Sequence, residues 1–144
     1  MLITIFGESC TGKSTLADAL KERTGAEVFS GKDYLRLAKS EGEARALFQR
    51  QLKQAAAGEG DLIYVIAEPE LLSLVPEGGV RVLVTAELDE IKARFAARMG
   101  GTLPPPVAAM LERKHGCFDQ VPHDVHMVSG ADSVDGVCDQ ILSR

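Results

Sequence analysis

Glycine, lysine and serine recur near the start of the chain at a spacing that could bind a nucleoside triphosphate. Residues 7–14 read GESCTGKS and match the pattern GxxxxGKS. In such a loop the glycines let backbone N–H groups point at a phosphate, the lysine reaches the β- and γ-phosphates, and the serine hydroxyl coordinates Mg²⁺. We therefore expect Mg²⁺ to be held by Ser14 and ATP to contact Gly7, Glu8, Ser9, Cys10, Thr11, Gly12, Lys13, Ser14 and Thr15.

The segments on either side of this loop have the character that phosphate binding requires. The apolar run LITIF at residues 2–6 precedes it, and a helical pattern begins at Ser14. This order predicts a strand, a loop and a helix whose unpaired N-terminal N–H groups face the phosphate. Cys10 lies inside the loop, and we interpret it as a filler position rather than a reactive thiol.

Five short apolar runs alternate with helical patterns, as in βαβ units that form a parallel sheet covered on both faces. We predict an α/β fold with strands near residues 2–6, 26–30, 61–67, 80–84 and 125–128. Three apolar stripes at helical spacing predict helices that face the core. The stripes are Ala44, Leu47, Phe48, Gln51, Leu52 and Ala55; Leu88, Ile91, Phe95 and Met99; and Val134, Val137, Cys138, Ile141 and Leu142.

Length, charge and cysteine content narrow the classes of protein. The 144 residues predict one domain spanning 1–144. The 21 acidic and 16 basic residues give a net charge of -5, which argues against broad affinity for nucleic acid or anionic membranes. Three widely spaced cysteines without a CxxC pair argue against a disulfide framework, and no leader or membrane-length apolar run is evident, so we expect a cytoplasmic protein. The tetrapeptides NKxD and DxxG of GTPases do not occur.

Two further segments carry a resemblance to a known family. Residues 30–36 read SGKDYLR and follow the second predicted strand, and residues 87–98 read ELDEIKARFAAR. Together with the GxxxxGKS loop, they resemble the nucleoside monophosphate kinase group, and its cytidylate-kinase-like branch most of all. The resemblance implies a three-layer P-loop NTPase fold with a five-stranded parallel sheet of order 2-3-1-4-5. It also implies ATP with Mg²⁺, an acceptor-binding insert at about 31–58 and a lid at about 94–118.

The resemblance and the chemistry of phosphoryl transfer together suggest roles for particular side chains. The transition state spreads negative charge over phosphate oxygens, so a catalyst needs positive groups in line and a dry site. We expect Lys13, Arg94 and Arg98 to neutralise that charge, since Arg94 and Arg98 are four apart on one helical face. By resemblance, an acceptor would be held by Asp33 and Arg36. We interpret Arg113 and Lys114 as a charged helix end.

Glu68 is the candidate that assists the metal or the acceptor, because it follows the third strand at the carboxyl end where ligands of such sheets collect. The related kinases carry an Asp-Gly-Arg element at this point, whereas residues 67–70 here read AEPE. Three functions therefore stay open: a nucleoside monophosphate kinase, a kinase of a hydroxylated metabolite such as shikimate or gluconate, and a nucleotide-binding regulatory protein without turnover. We expect a monomer or small homo-oligomer whose partners are a nucleotide and a small acceptor.

Two remaining features carry alternative interpretations. Residues 129–132 resemble the loop that borders the adenine base in these kinases, although Asp132 or Ser133 would cap the last helix in any case. Four possible zinc ligands fall within twelve residues, and a tetrahedral Zn²⁺ site is the less favoured interpretation of their irregular spacing. They are His115, Cys117, His123 and His126.

Overall fold

A five-stranded, fully parallel sheet organises the chain in the computed structural model, which describes residues 1–144. The sheet has the order β2-β3-β1-β4-β5, as expected. The predicted strands are confirmed, with ends that differ by a residue at most. The strands are β1 Leu2–Phe6, β2 Glu27–Ser30, β3 Leu62–Ile66, β4 Val80–Thr85 and β5 Val125–Val128.

Five α-helices flank the sheet and complete a three-layer α/β fold. Two short 3-10 helices, Asp33–Leu37 and Pro69–Leu74, follow β2 and β3. The fourth helix begins at Pro105, and a proline is well tolerated there because the N–H group of the first helical position has no partner within the helix. The helices are α1 Lys13–Thr24, α2 Glu41–Ala56, α3 Leu88–Arg98, α4 Pro105–Lys114 and α5 Val134–Leu142.

Two separate apolar cores lie on opposite faces of the sheet. On one face Phe48 of α2 contacts three aromatic rings, with centroid distances of 4.9 Å to Phe29, 5.2 Å to Tyr34 and 4.8 Å to Tyr64. On the other face α1 and α5 cover the strands. Strands β1 and β3 are buried along their whole length, which explains why neither sequence alternates between apolar and polar residues.

Two residues of the predicted core stripes are exposed. Leu47 is 37% exposed, because the buried face of α2 is centred on Phe48 and leaves Leu47 at its margin. Met99 is 46% exposed, because α3 ends at Arg98 and Met99 already lies in the turn that follows. Cys138 is fully buried in α5, as predicted. No helix combines the length and the apolar character that crossing a bilayer would require.

The strand register brings the chemistry-bearing segments to one edge of the sheet. Phe6, the last residue of β1, is paired with Ile66 of β3 on one side and with Leu83 of β4 on the other. Because all strands run in parallel, the loop after β1 emerges between the carboxyl ends of its two neighbours. Ligands of open α/β sheets bind at such a point.

Candidate nucleotide and acceptor site

The two glycines of the loop after β1 serve different geometric purposes. Gly12 caps α1 with φ 103°, a left-handed conformation that residues with a Cβ rarely adopt. Gly7 is required for a different reason, since a Cβ there would lie 2.2 Å from the carbonyl oxygen of Val84 in β4. The sequence argument assigned backbone curl to both glycines, and for Gly7 the structure replaces that reason with close packing against β4.

Lys13 lies folded back over the loop and is only 7% exposed. Its Nζ donates a hydrogen bond to the carbonyl oxygen of Glu8 at 2.5 Å. Burial lowers the pKa of the Lys13 ammonium from 10.5 to about 8; Cys10 opposes this shift, and the positive charge of Arg98 adds to it. The ammonium is therefore partly desolvated and close to the positive charge of Arg98. An incoming polyphosphate would balance both positive charges.

A cavity of about 480 Å³ opens on the β5 side of the loop. Its walls come from the start of α1, from α3 and from the turn between β5 and α5. Ser133 caps α5, with its Oγ accepting from the backbone N–H of Gly136 at 2.9 Å, and Asp132 accepts from the N–H of Val128 at 2.8 Å. The cavity lining includes Gly12, Thr15, Arg94, Arg98, Ser129 and Asp132.

A second cavity of about 270 Å³ opens on the β3 side of the same loop. It lies between the start of α1 and the carboxyl ends of β2 and β3. Arg98 lines both cavities, as do Cys10, Gly12 and Thr15, so the two spaces meet over the loop. The lining of this second cavity also includes Lys13, Ser14, Ser30, Gly31 and Glu68.

A third cavity of about 440 Å³ continues from the second one. The two share Ser9, Ala67 and Glu68, and the third extends between the 3-10 helix after β3 and helix α4. Glu70 and Lys114 add one charge of each sign to its wall. Glu68 therefore stands where the two spaces on this side of the loop join.

The two arginines of α3 are placed differently. Arg94 donates from Nη1 to the carbonyl oxygen of Cys10 at 3.0 Å and from Nη2 to Ser129 Oγ at 3.0 Å, and it forms an ion pair with Glu90. These contacts tie α3 to the loop and to the turn after β5. Arg98 is exposed and makes no ion pair, so its guanidinium is free to contact a ligand in either cavity.

The structure does not bring Arg36 to the cleft. Arg36 pairs with Glu27 at 3.3 Å and lies over the Phe29 ring, because the 3-10 helix after β2 turns its side chain back along that strand. Asp33 also stays outside both cavities; its Oδ2 accepts from the backbone N–H of Ser30 at 3.0 Å. Asp33 thus shapes the Ser30–Gly31 turn that lines the second cavity, without reaching into it.

Sequence reasoning missed the partners of the Glu8 side chain. The carboxylate, 9% exposed, accepts from His115 Nδ1 at 3.0 Å and from the backbone N–H of Gly116 at 3.1 Å. The contact joins residues 107 apart in the chain, and no local pattern indicates it.

The zinc alternative is wrong in this structure. No group of three His, Cys, Asp or Glu side chains could hold a metal ion. The three histidines have separate partners: His115 contacts Glu8, His126 Nε2 lies 2.7 Å from Thr85 Oγ1, and His123 Nδ1 lies 2.9 Å from the carbonyl oxygen of Val121.

Comparisons with known proteins find likeness in structure only. No protein-family model matches the chain, and no curated protein sequence matches it. The tunicamycin resistance protein of Deinococcus radiodurans has a similar structure, with a TM-score of 0.67, 20% identity, and coverage of 99% of this chain and 93% of that one. For a gluconokinase of Sinorhizobium meliloti the TM-score is 0.59, with 17% identity and coverage of 98% and 89%.

A shikimate kinase of Aquifex aeolicus is also similar, with a TM-score of 0.54, 19% identity, and coverage of 99% of this chain and 94% of that one. At such identities the likeness concerns the fold alone, and it does not single out the cytidylate-kinase-like branch. The sheet order, the loop after β1 and these neighbours agree: the chain has the three-layer α/β fold of P-loop NTPases.

Proposed function

We propose that the protein is an ATP- and Mg²⁺-dependent phosphotransferase that transfers the γ-phosphoryl group to a hydroxyl of a small molecule. The observation that carries this proposal is the placement of Lys13, which begins α1 at the end of the loop over which two cavities meet and lines the second of them. A donor nucleotide on the β5 side and an acceptor on the β3 side would face each other across this loop. Arg98 lines both spaces and would contact the group in transfer.

The donor side fits the parts of ATP. The turn at Ser129–Asp132 and the start of α5 border the larger cavity and would enclose the base and ribose. The N–H groups of residues 7–15 would hold the phosphates, and the Lys13 ammonium would move from the Glu8 carbonyl to their oxygens. Ser14 lies in the first turn of α1 and lines the second cavity, so its hydroxyl can hold Mg²⁺. Mg²⁺ held there would supply positive charge that offsets the negative charge of the phosphates.

On the acceptor side Glu68 would orient the attacking hydroxyl and accept its proton. Its position at the junction of the second and third cavities gives it access to both the loop and the space where an acceptor would lie. Arg98 would offset the developing charge on the transferred group. The predicted role of Arg94 in charge neutralisation requires Arg94 to release Cys10 and Ser129; with those contacts in place it positions α3.

The charge of the acceptor side favours a hydroxylated metabolite over a nucleoside monophosphate. A monophosphate acceptor needs its own cation, but Arg36 is engaged with Glu27 outside the cavity. The third cavity presents Glu68 and Glu70 against the single cation Lys114. Like charges repel, so these carboxylates disfavour a phosphate dianion and accommodate neutral hydroxyl groups.

Nucleoside monophosphate kinase activity is the second candidate, supported by the likeness of residues 30–36 to the acceptor segment of those enzymes. It would require Arg36 to leave Glu27 and swing toward Gly31. That ion pair is exposed on both sides, with 56% and 60% of the two side chains accessible, so its rupture costs little.

An acceptor panel tests the proposal directly. ADP release from Mg·ATP is measured with neutral polyols, sugars and hydroxy acids in one arm and with nucleoside monophosphates in the other. We expect stimulation by a member of the first arm only. Stimulation by CMP or another monophosphate would establish the second candidate. Tight Mg·ATP binding in calorimetry without stimulation by either arm would instead favour a regulatory protein without turnover, and absence of nucleotide binding would refute all three.

A further inference from the structure

Glu8 joins two distant parts of the molecule through its two ends. Its backbone carbonyl accepts hydrogen bonds from Lys13 Nζ at 2.5 Å and from Thr11 Oγ1 at 2.8 Å. Its carboxylate accepts from His115 Nδ1 at 3.0 Å and from the N–H of Gly116 at 3.1 Å. One residue therefore contacts both the phosphate-loop lysine and the turn that follows α4.

The carboxylate end is held by a turn of defined shape. A buried carboxylate is costly unless donors satisfy it, and here a ring N–H and a backbone N–H do so. Gly116 has φ +82°, and a Cβ at this position would be strained and would lie 3.1 Å from Asp119 Oδ2. The turn can thus present its N–H to Glu8 because residue 116 is a glycine.

The carbonyl end determines where the Lys13 ammonium rests. The Glu8 carbonyl is the hydrogen-bond acceptor of Nζ in this structure. Both ends belong to one residue, so an anchored carboxylate restricts the Glu8 peptide group, and the peptide group restricts the ammonium. A buried ammonium that is already held beside the loop needs less ordering when phosphate binds, so this placement favours nucleotide affinity.

We propose that Glu8 is a positioning residue: its carboxylate, held by His115 and Gly116, fixes the Glu8 carbonyl and with it Lys13 for the nucleotide phosphates. The inference rests on the proposed function, since it concerns the same loop. It adds that the segment after α4, a hundred residues downstream, contributes to nucleotide affinity without touching the nucleotide.

A second contact of α4 provides a control that separates loosening of this helix from displacement of Lys13. Lys92 of α3 and Glu112 of α4 form an ion pair at 2.5 Å. This pair fastens α4 to its neighbour, as the Glu8 contact does, but neither residue contacts the phosphate loop. A Lys92→Met variant therefore loosens α4 while leaving Glu8 and Lys13 in place.

The test measures binding of the Mg²⁺ complex of a non-hydrolysable ATP analogue by calorimetry. Glu8→Ala should weaken binding by about fivefold or more, whereas Glu8→Gln, which keeps an oxygen for the Gly116 N–H, should recover to within about twofold. Lys92→Met should stay within about twofold of the parent. In a Lys13→Ala background the Glu8→Ala effect should shrink to about twofold or less, because a positioning residue acts through the lysine.

Circular dichroism checks that every variant is folded. If Glu8→Ala is not folded, His115→Ala is tested instead, because that change removes one donor to the carboxylate and leaves Glu8 intact. Three results would overturn the positioning role while the parent still binds nucleotide: unchanged affinity in the alanine variant, an equal loss in Lys92→Met, or a full loss that persists without Lys13. A parent protein that binds no nucleotide would refute the proposed function itself, and the inference with it.

Discussion

The charge of Lys13 depends on pH within the range of ordinary experiments. Burial holds the pKa of its ammonium at about 8 in the free protein, and bound phosphate would raise that pKa. We therefore expect Mg·ATP affinity to be highest below pH 8 and to fall by up to about tenfold per pH unit above it, as the free lysine loses its proton. Calorimetry between pH 7 and pH 9.5 measures this. A Lys13→Ala variant should bind weakly without the decline, and a decline that survives in it would assign the titration elsewhere.

The lowered pKa of Lys13 also affects the stability of the free protein, and its effect has the opposite dependence on pH. Below pH 8 the Lys13 ammonium stays charged while buried, and this lowers the free energy of unfolding. As pH rises from 8 toward 10.5, the unfolded chain binds more protons at this lysine than the folded chain does, so the free energy of unfolding increases with pH over that window. Affinity for the nucleotide and stability of the free protein thus change in opposite directions.

Gly7 and Gly42 form a matched pair for testing close packing. A methyl group at Gly7 would meet the Val84 carbonyl at 2.2 Å, whereas one at Gly42 in the first turn of α2 would meet nothing within 4 Å. We expect Gly7→Ala to lower the free energy of unfolding by about 1–3 kcal/mol or more, the usual cost of overpacking. Gly42→Ala should raise it by about 0.5–1 kcal/mol. Urea unfolding measures both, and a Gly7→Ala protein of undiminished stability would contradict the close contact.

At the scale of elements, the aromatic cluster beneath α2 contains two tyrosines whose hydroxyl groups differ in their hydrogen bonding. Tyr64 donates to the carbonyl oxygen of Gly31 at 2.7 Å, and burial, followed by the nearness of Tyr34, raises the pKa of Tyr64 above its usual range. The Tyr34 hydroxyl is buried without a hydrogen-bond partner. The 3-10 helix that carries Tyr34 stacks its ring on Phe48 and leaves the hydroxyl no acceptor.

This difference in hydrogen bonding predicts that replacing each tyrosine by phenylalanine has a different effect on the free energy of unfolding. Tyr34→Phe removes an unsatisfied group and should leave the free energy of unfolding unchanged or raise it by about 1 kcal/mol. Tyr64→Phe leaves the Gly31 carbonyl without its donor and should lower it by about 1–2 kcal/mol. Thermal and urea unfolding compare the two variants. Equal destabilisation would mean that Tyr34 has a hydrogen-bond partner after all.

At the scale of the whole molecule, the two cores share one sheet, because β1 and β3 are buried on both faces. Leu16 lies in the core under α1, and both tyrosines lie in the core under α2. The chain has no tryptophan, so tyrosine fluorescence reports the α2 face alone. Since a shared sheet couples the faces, we expect the protein to unfold in one transition.

Leu16→Ala tests this coupling from the opposite face. The change should lower the free energy of unfolding by about 2–5 kcal/mol and shift the midpoint of the tyrosine signal together with that of circular dichroism. Phe48→Ala, within the α2 core, is the matched comparison and should shift both signals in the same way. Separate midpoints for the two signals in Leu16→Ala would show that each face unfolds on its own.

The architecture followed from local patterns along the chain. The five strands could be predicted to within a residue, since a strand buried on both faces must be continuously apolar, as residues 62–66 are. The loop could be predicted because GxxxxGKS combines phosphate chemistry with a backbone requirement at Gly12. The sheet order came from family resemblance, and the structure confirms it.

Side-chain direction relative to distant segments was decided by tertiary structure alone. Arg36 turns back to Glu27 rather than into the cleft, and Glu8 reaches His115 across 107 residues. Short-range periodicity determines which residues are buried, because burial depends on the face of an element. It does not determine which polar groups meet, because that depends on how separate elements pack. The sequence by itself predicted the strands and the strand-loop-helix order around the GxxxxGKS loop; only the folded chain shows which side chains surround the cleft.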